Sequence, residues 1–434
     1  MKSLIKKFTP RFLIRLYHLV LAKLAALWYG YPSRKLIVVG VTGTGGKSST
    51  VYLLAKLLEA AGWKVGVTST VFFKVGEWEK LNDKKMTMLG RFATQNFLRR
   101  MVDADCQVAI VETTSQGIEQ YRHLDIDYDI VVLTNLYPEH IEAHGGFENY
   151  QKAKGKLFAA LTKTYRKKIF PAKTIIVNGD DEYASYFLNF PADEKITFGL
   201  KENSLPVKEK IIAVQPLPLG EQISFTVKGT DFVLPLLGEM NIYNSLCAIT
   251  VAKVLGLSLE EIKRFSGAMK NIPGRQEFIN EGQNFKVLVD YAFEPKALAS
   301  LYEILEMIPH KRLIHVLGSA GGGRDVARRP VLGSLAGENA QIVIVTNEDP
   351  YDDDSEQIIE EVAQGASEKS KIEGQDLFKI LDRREAIKKA LQLAKEGDLV
   401  LVTGKGSEQA ICVGGGQKLP WDDRKVIREE LVKI

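Results

Sequence analysis

The chain has 434 residues, of which 26% are charged and 45% hydrophobic, and a formal net charge of +4. That length carries two or three domains with cores of their own, and so small a net charge leaves no electrostatic footprint for nucleic acid. Three cysteines, Cys106, Cys247 and Cys412, lie far apart without metal-ligand spacing, which argues against a disulfide framework and predicts buried thiols of a cytoplasmic protein.

Residues 1–34 predict an amphipathic helix. Arg11, Arg15, His18 and Lys23 fall near one helical face, while Leu13, Leu16, Tyr17, Val20, Leu24, Leu27 and Trp28 fill most of the rest. The charges interrupt any apolar run of the roughly 18 residues that a bilayer span needs, and Pro10 and Arg15 break the pattern of a signal peptide. Two roles fit. The helix docks on the protein's own body or a second subunit, or it lies on an anionic membrane, so residues 1–30 are expected to mediate self-association or a peripheral contact at the inner membrane face.

The β-branched run Leu36–Val39 leads into Gly40-Val-Thr-Gly43-Thr-Gly45-Gly46-Lys47-Ser48-Ser49, and Val51, Leu54, Leu57 and Leu58 then share one helical face. Strand, glycine loop and helix in this order form a phosphate cradle of backbone N–H groups at a helix N-terminus. Gly43, Thr44, Gly45, Gly46, Lys47, Ser48 and Ser49 are its candidate residues, with Lys47 neutralising the outer phosphates and the Ser48 hydroxyl facing Mg²⁺. The ordinary pattern Gly-x-x-x-x-Gly-Lys-Ser would put its first glycine where Val41 stands; here glycine comes one place earlier, at Gly40.

Strand-like runs then alternate with helical patterns at Val65–Ser69, Val108–Val111, Ile130–Thr134 and Thr174–Val177, which predicts a mostly parallel sheet in an α/β domain. Ile211 to Leu236 shows short alternating strands and turn residues, the pattern of an added meander, and a helix follows from about Asn241 to Leu255. The punctuation Asn271-Ile-Pro-Gly-Arg275 precedes a second alternation, at Lys286–Val289, Leu313–Leu317, Ile342–Thr346 and Leu399–Val402. The expected fold is α/β, with a central phosphate-loop domain over 35–273 and a Rossmann-like α/β domain over 274–434. The acid run Asp352-Asp-Asp354 reads as a solvated loop.

Further motifs follow in order: Glu112-Thr-Thr-Ser115-Gln-Gly117, Thr134-Asn135-Leu-Tyr-Pro-Glu139-His140, Tyr150-Gln-Lys-Ala-Lys154, Gly238-Glu-Met-Asn241-Ile-Tyr-Asn244, Pro273-Gly-Arg275, Asp290-Tyr-Ala292, Glu348-Asp-Pro350 and Gly404-Lys-Gly406-Ser-Glu408. With these motifs and its loop, the chain from about residue 35 to Arg424 resembles the Mur ligases, in their muramyl-tripeptide synthetase branch. The resemblance implies an ATP-dependent, ADP-forming amide ligase. A substrate carboxylate attacks the γ-phosphate, and an amine then displaces phosphate from the acyl phosphate. Two anions must approach each other, so cations have to screen them and hold the line of transfer.

The family pattern makes Lys47, Glu112, His140, Lys154 and Arg275 the catalytic candidates, with Ser48, Glu112, His140 and Lys154 at the divalent metal. Lys154 is expected to carry a carbamate made from CO₂, which turns a cation into a metal-binding anion. Asn241, Asn244, Arg275 and Asp290 are implied around the nucleotide, the last two from the second domain, with closure completing the site. Thr87, Thr114, Gln120 and Arg122 match positions that hold a peptide-like acceptor. Glu348, Asp349, Gly404 and Glu408 match the pocket for the incoming amino acid, where carboxylates would hold a side-chain ammonium.

Three departures bear on specificity. The family's uridine-diphosphate-binding domain ahead of the loop is expected to be missing here, with the amphipathic helix in its place. The arginine that marks diaminopimelate enzymes after the Asp-Asn-Pro motif is Tyr351. Two histidines of the pattern are Phe293 and Ser407. An active enzyme of altered specificity is expected, adding an amino acid such as lysine to a cell-wall precursor. The alternatives are a ligase acting on a poly-amino acid, cyanophycin-like or folylpolyglutamate-like acceptor, and an inactive nucleotide-binding subunit.

Overall fold

The computed structural model describes residues 10–138, 144–219, 221–323 and 326–434. The candidate ligand His140 lies outside the described residues. The chain divides into two compact units, one built from residues up to Lys270 and the other from Asn271 onward, with the short pieces Asp83–Lys85 and Leu219–Glu221 grouped with the second.

The first unit is built on one sheet. Its strands are β1 (Ile37–Thr42), β2 (Val65–Thr68), β3 (Phe72–Val75), β4 (Trp78–Leu81), β5 (Val108–Glu112), β6 (Ile130–Leu133), β7 (Thr174–Asn178), β8 (Glu194–Gly199), β9 (Glu209–Leu219), β10 (Gln222–Val227) and β11 (Thr230–Leu234). They run in the order β11-β10-β9-β8-β7-β6-β1-β5-β2-β3-β4. From β2 to β9 across the middle, neighbours are parallel, and the runs of β2, β5, β6 and β7 are buried throughout, as strands covered on both faces must be. Antiparallel pairs finish both ends, β2–β3–β4 at one and β10–β11 at the other.

The helices of this unit are α1 (Arg11–Trp28), α2 (Lys47–Ala60), α3 (Arg91–Asp103), α4 (Ser115–Glu119), α5 (Phe147–Leu161), α6 (Ala184–Leu188), α7 (Glu239–Val254) and α8 (Leu259–Phe265). Because β1 lies between β5 and β6, it is the switch point of the strand order. The crevice beyond the strand C-termini at such a point is where open α/β sheets bind ligands. α1 meets α3 through a small-residue face, with Ala22, Ala25 and Ala26 buried, while Leu13, Leu16, Val20, Leu24, Leu27 and Trp28 are exposed. No helix among the described residues is long and apolar enough to cross a membrane.

The second unit carries β12 (Glu277–Phe278), β13 (Lys286–Val289), β14 (Leu313–Leu317), β15 (Ile342–Thr346), β16 (Leu377–Ile380) and β17 (Leu399–Val402) in the order β12-β13-β17-β14-β15-β16, and a separate hairpin of β18 (Ala410–Val413) and β19 (Gln417–Pro420). All pairings in the six-stranded sheet except β12–β13 are parallel. Helices α9 (Pro295–Glu306), α10 (Arg328–Asn339), α11 (Ser355–Ser367), α12 (Arg383–Leu393) and α13 (Asp423–Leu431) complete it. The acid run is an exposed loop, as expected, and its carboxylates also accept backbone hydrogen bonds. The Asp354 carboxylate accepts from Glu356 N and caps α11, Asp353 accepts from Gly322 N, and Asp352 accepts from Gly415 N. All three cysteines are buried and unpaired.

One buried ion cluster joins strands of the first unit. Asp129, directly before β6, is fully buried and accepts from Val38 N at 2.8 Å, from Lys173 Nζ at 3.0 Å and from Lys167 Nζ. Burial holds the Lys167 ammonium down, to about 8, against the pull of Asp129. Asp129→Asn leaves two buried ammonium groups facing a neutral amide. We expect a loss of about 3–5 kcal/mol of stability, read as a lowered denaturant midpoint.

Candidate active site

The phosphate loop joins β1 to α2. Gly43 and Gly46 both have positive φ, and neither could carry a side chain: a Cβ at Gly43 would stand 1.9 Å from Thr134 Oγ1, and one at Gly46 would stand 2.3 Å from Asn244 Oδ1. The loop is thus pressed between the end of β6 and the start of α7. Asn135 Oδ1 accepts from Gly45 N at 2.8 Å and from Thr44 N at 3.2 Å, and Thr134 Oγ1 donates to Gly45 O at 2.6 Å. Lys47 folds back over the loop and donates to the carbonyls of Gly43 and Thr44 at 3.0 and 2.8 Å. Ser49 follows on α2, half-buried.

Two of the expected metal ligands meet. The Ser48 hydroxyl donates to Glu112 Oε1 at 3.0 Å, and both side chains are buried. Glu112 ends β5 and also accepts from Thr70 N at 2.8 Å and Thr70 Oγ1 at 3.0 Å, while Thr70 Oγ1 lies 2.7 Å from Thr87 Oγ1. The expected nucleotide, metal and acceptor residues Ser48, Glu112 and Thr87 thereby share one chain of hydrogen bonds. Thr70, which sequence reading missed, is the link between them.

Lys154 comes from α5 and reaches the same loop. Its side chain is 1% exposed, its Nζ donates to Gly43 O at 2.7 Å, and it lies 4.5 Å from the Tyr150 ring centroid. Neighbouring Lys152 and Lys156 point elsewhere, to Glu148 and Glu119. The structure therefore separates three lysines that composition alone could not. The Tyr150 hydroxyl lies 3.1 Å from Thr44 Oγ1 and ties α5 to the loop again. Asn241 and Asn244 are buried at the start of α7, with Asn244 Nδ2 donating to Asn241 Oδ1 at 3.0 Å and Asn241 Nδ2 to Leu237 O at 2.9 Å. Asn244 stands beside the phosphate loop, at Gly46.

Gln120 and Arg122 form a second cluster in the first unit. Gln120 Oε1 accepts from Arg122 Nε and Nη2 at 3.1 and 2.6 Å, and Arg122 also donates to Met88 O. Arg91, another residue that sequence reading missed, donates to Gln120 O, and its own Nε is buried without a hydrogen-bond partner. Burial weakens the hold of both guanidinium groups on their protons, and Arg122 adds to the effect at Arg91. Two adjacent cations, one with an unused donor, suit an anionic ligand. Thr114 caps α4 by accepting from Gly117 N at 3.1 Å.

In the second unit, Asp290 is buried after β13 and accepts from Ala292 N at 2.6 Å and Gln276 N at 2.8 Å. Burial raises its carboxyl despite the pull of Arg275. The Arg275 guanidinium stacks 4.1 Å from the Tyr291 ring centroid. Glu348, Asp349, Gly404 and Glu408 come together as expected, but two carboxylates are already engaged by lysines of the chain. Lys405 Nζ stands 2.8 Å from both Asp349 Oδ1 and Glu408 Oε2, and Lys85 pairs with Asp349 and, at 2.8 Å, with Glu408. Glu348 is different: it is 4% exposed, its Oε2 has no hydrogen-bond partner, and burial raises its carboxyl. Gly404, with φ +100°, leaves room for that oxygen, since a Cβ there would stand 2.4 Å from it.

The Mur ligase middle domain family matches residues 41–252, and the Mur ligase glutamate ligase domain family matches residues 274–406. A UDP-N-acetylmuramyl-tripeptide synthetase from Roseiflexus sp. is 37% identical over 424 residues, covering 95% of this chain and 82% of the relative. The chain belongs to the Mur ligase family. A UDP-N-acetylmuramoyl-L-alanyl-D-glutamate–2,6-diaminopimelate ligase from Geobacillus kaustophilus is 33% identical, covering 94% of this chain and 81% of its own. A solved structure of a ligase of that same description matches with a TM-score of 0.60 at 29% identity, over 92% of this chain and 78% of the other. The folylpolyglutamate synthase of Mycobacterium tuberculosis complexed with ADP shares the fold, with a TM-score of 0.66 at 17% identity over 89% and 91% of the two chains. This Mur ligase is an enzyme that forms carbon–nitrogen bonds at the expense of ATP.

The close packing of the loop sets a test. Gly46→Ala places a methyl group on Asn244 and a side chain at positive φ. Binding of Mg-ATP, read by calorimetry, is expected to weaken at least tenfold, while Gly62→Ala, a positive-φ glycine with open space around it, keeps wild-type affinity.

Proposed function

We propose that this ligase activates a peptide-like acceptor carboxylate with ATP and joins it to an amino acid carrying a side-chain ammonium, in cytoplasmic peptidoglycan precursor synthesis. The supporting observation is the linked set of Lys47, Ser48, Glu112 and Lys154 around the phosphate loop. The acceptor carboxylate attacks the γ-phosphorus and ADP leaves. The amine then attacks the acyl carbon, loses a proton and expels phosphate. Lys47 neutralises the phosphates, and the backbone N–H groups at the start of α2 orient them.

Among the described residues, no group of three or more His, Cys, Asp and Glu is gathered to hold a metal ion. Mg²⁺ is expected to be held by the hard oxygens of Ser48 and Glu112 and by the carbamate of Lys154, with His140 a further ligand. Bound there, it screens phosphate charge. As an ammonium, Lys154 would repel a cation. Carbamylation by CO₂ makes it an acceptor, and its place at the loop supports that role. Gln120, Arg122, Thr87 and Thr114 are assigned to the acceptor, Asn241 and Asn244 to the nucleotide side, and Arg275 and Asp290 to the same reaction from the second unit. The helix at the N-terminus supplies a contact besides those with substrates, to a membrane or to a second copy.

Charge bookkeeping in the second unit supports the preference for an ammonium. Asp349 and Glu408 are each paired with Lys85 and Lys405, whereas Glu348 Oε2 is buried without a hydrogen-bond partner and feels Lys405, Arg383 and Arg328 only through space. The incoming ammonium is assigned to that open oxygen. Diaminopimelate brings a further carboxylate, and Tyr351 stands where the resembled diaminopimelate enzymes have an arginine. Lysine is therefore expected to outcompete diaminopimelate, and Glu348→Gln to raise the KM for lysine at least tenfold with a smaller change in kcat. A better rate with diaminopimelate would refute the assignment.

Phosphate release from Mg-ATP, measured across acceptors with and without a uridine group, tests the acceptor class. Lys47→Ala is expected to abolish release with the fold intact. Lys154→Ala is expected to lose it too, and to recover part of it with small carboxylates that replace the missing anion. Near-normal ligation by Lys47→Ala would overturn the phosphate assignment.

A further inference from the structure

Helix α1 presents its bulky side outward. Its buried side is made of alanines, Ala22, Ala25 and Ala26, whereas Leu16 is 52% exposed, Leu27 64% and Trp28 79%. At 100° per residue, Leu13, Leu16, Val20, Leu24, Leu27 and Trp28 lie within an arc of about 120°, with Tyr17 inside it, also exposed. Ordinary surface helices face the core with such a stripe. Here the small residues face the body and the apolar stripe faces away from it, which marks a contact surface rather than a packing element.

We propose that this stripe lies on an anionic phospholipid surface, with the helix axis in the membrane plane. The charge of the segment decides among occupants. Lys2, Lys6, Lys7, Arg11, Arg15 and Lys23 all belong to the stretch of sequence that carries the stripe, and the first acidic residue of the chain is Glu59. Lys23 lies 3.5 Å from Asp125, yet its side chain remains 64% exposed. A second copy bound through the same stripe would set two wholly basic segments against each other, which an isologous contact cannot avoid. Anionic headgroups instead attract so basic a segment. Trp28 and Tyr17 on the stripe have the amphipathic rings that favour the headgroup boundary. The alanine face stays on α3, so the membrane-bound helix would hold the first unit at the surface.

Flotation of the full-length protein with phosphatidylcholine vesicles, with and without phosphatidylglycerol, tests the proposal directly. The protein is expected to float only with the anionic vesicles, and the bound fraction to fall roughly tenfold or more from low to high salt. The Leu16→Glu/Leu24→Glu double variant is expected to lose flotation while keeping the wild-type melting temperature and ATP turnover, because both side chains are exposed. Absence of flotation, or equal flotation of the double variant, would overturn the proposal. A dimer seen by sedimentation velocity and abolished by the same variant, without vesicle binding, would assign the stripe to a second copy and overturn it as well.

Discussion

The contact of the phosphate loop with its neighbours constrains everything around it. Gly43 and Gly46 lack side chains, so Thr134 and Asn244 lie directly on the loop backbone. That contact joins β6 and α7 to β1, although the three elements are far apart in sequence. Lys154 and Tyr150 add α5 through Gly43 and Thr44. The loop is consequently held by packing and hydrogen bonds before any ligand is present, and preorganised donors spend less of their interaction on reorganisation.

Charge is handled by saturation in this protein. Asp129 carries two lysines in the core of the first unit, and Arg383 is paired with Asp423 in the second, both fully buried. Glu348 breaks that pattern, with a buried oxygen that nothing donates to. Buried polar atoms are nearly always satisfied, so this oxygen, beside two saturated carboxylates, is the observation on which the proposed ammonium pocket rests. Arg91 shows the reverse case, an unused donor beside a second guanidinium.

The fold was legible because its central strands are short runs of Val, Ile and Leu with glycine-rich loops or helical patterns between them, and β5, β6, β7, β13, β14, β15 and β17 stand where those runs are. The glycine spacing marks the loop between β1 and α2, and among three nearby lysines only the spacing from Tyr150 points to Lys154. Other features have no local signal. Lys85 looks like one more surface lysine, yet it joins Asp349 across a separation of 264 residues. Thr70 and Arg91 carry no motif, because their roles arise from what the sheet brings beside them. Asp352, Asp353 and Asp354 are the exposed loop that the acid run predicts, but that Asp354 caps a helix has no local signal, since capping depends on where the helix begins. For α1, periodicity shows an apolar face but not its direction, and the alanine contact with α3 decides that.

The antiparallel pairs at both ends of the first sheet have a consequence for how the protein behaves in a crowded solution. A parallel sheet that stopped at β2 or β9 would leave an apolar strand with a full row of unpaired backbone groups, open to strand addition by another chain. Instead the outermost strand on one side is β4, whose Trp78, Glu79 and Lys80 are exposed and whose Glu79 is held by Lys56 and Lys74. On the other side β11 alternates buried and exposed residues and places Asp231 outward, bonded to Thr226. Each border strand is short and carries charge, so the eleven-stranded sheet ends in edges that discourage fibre-like growth.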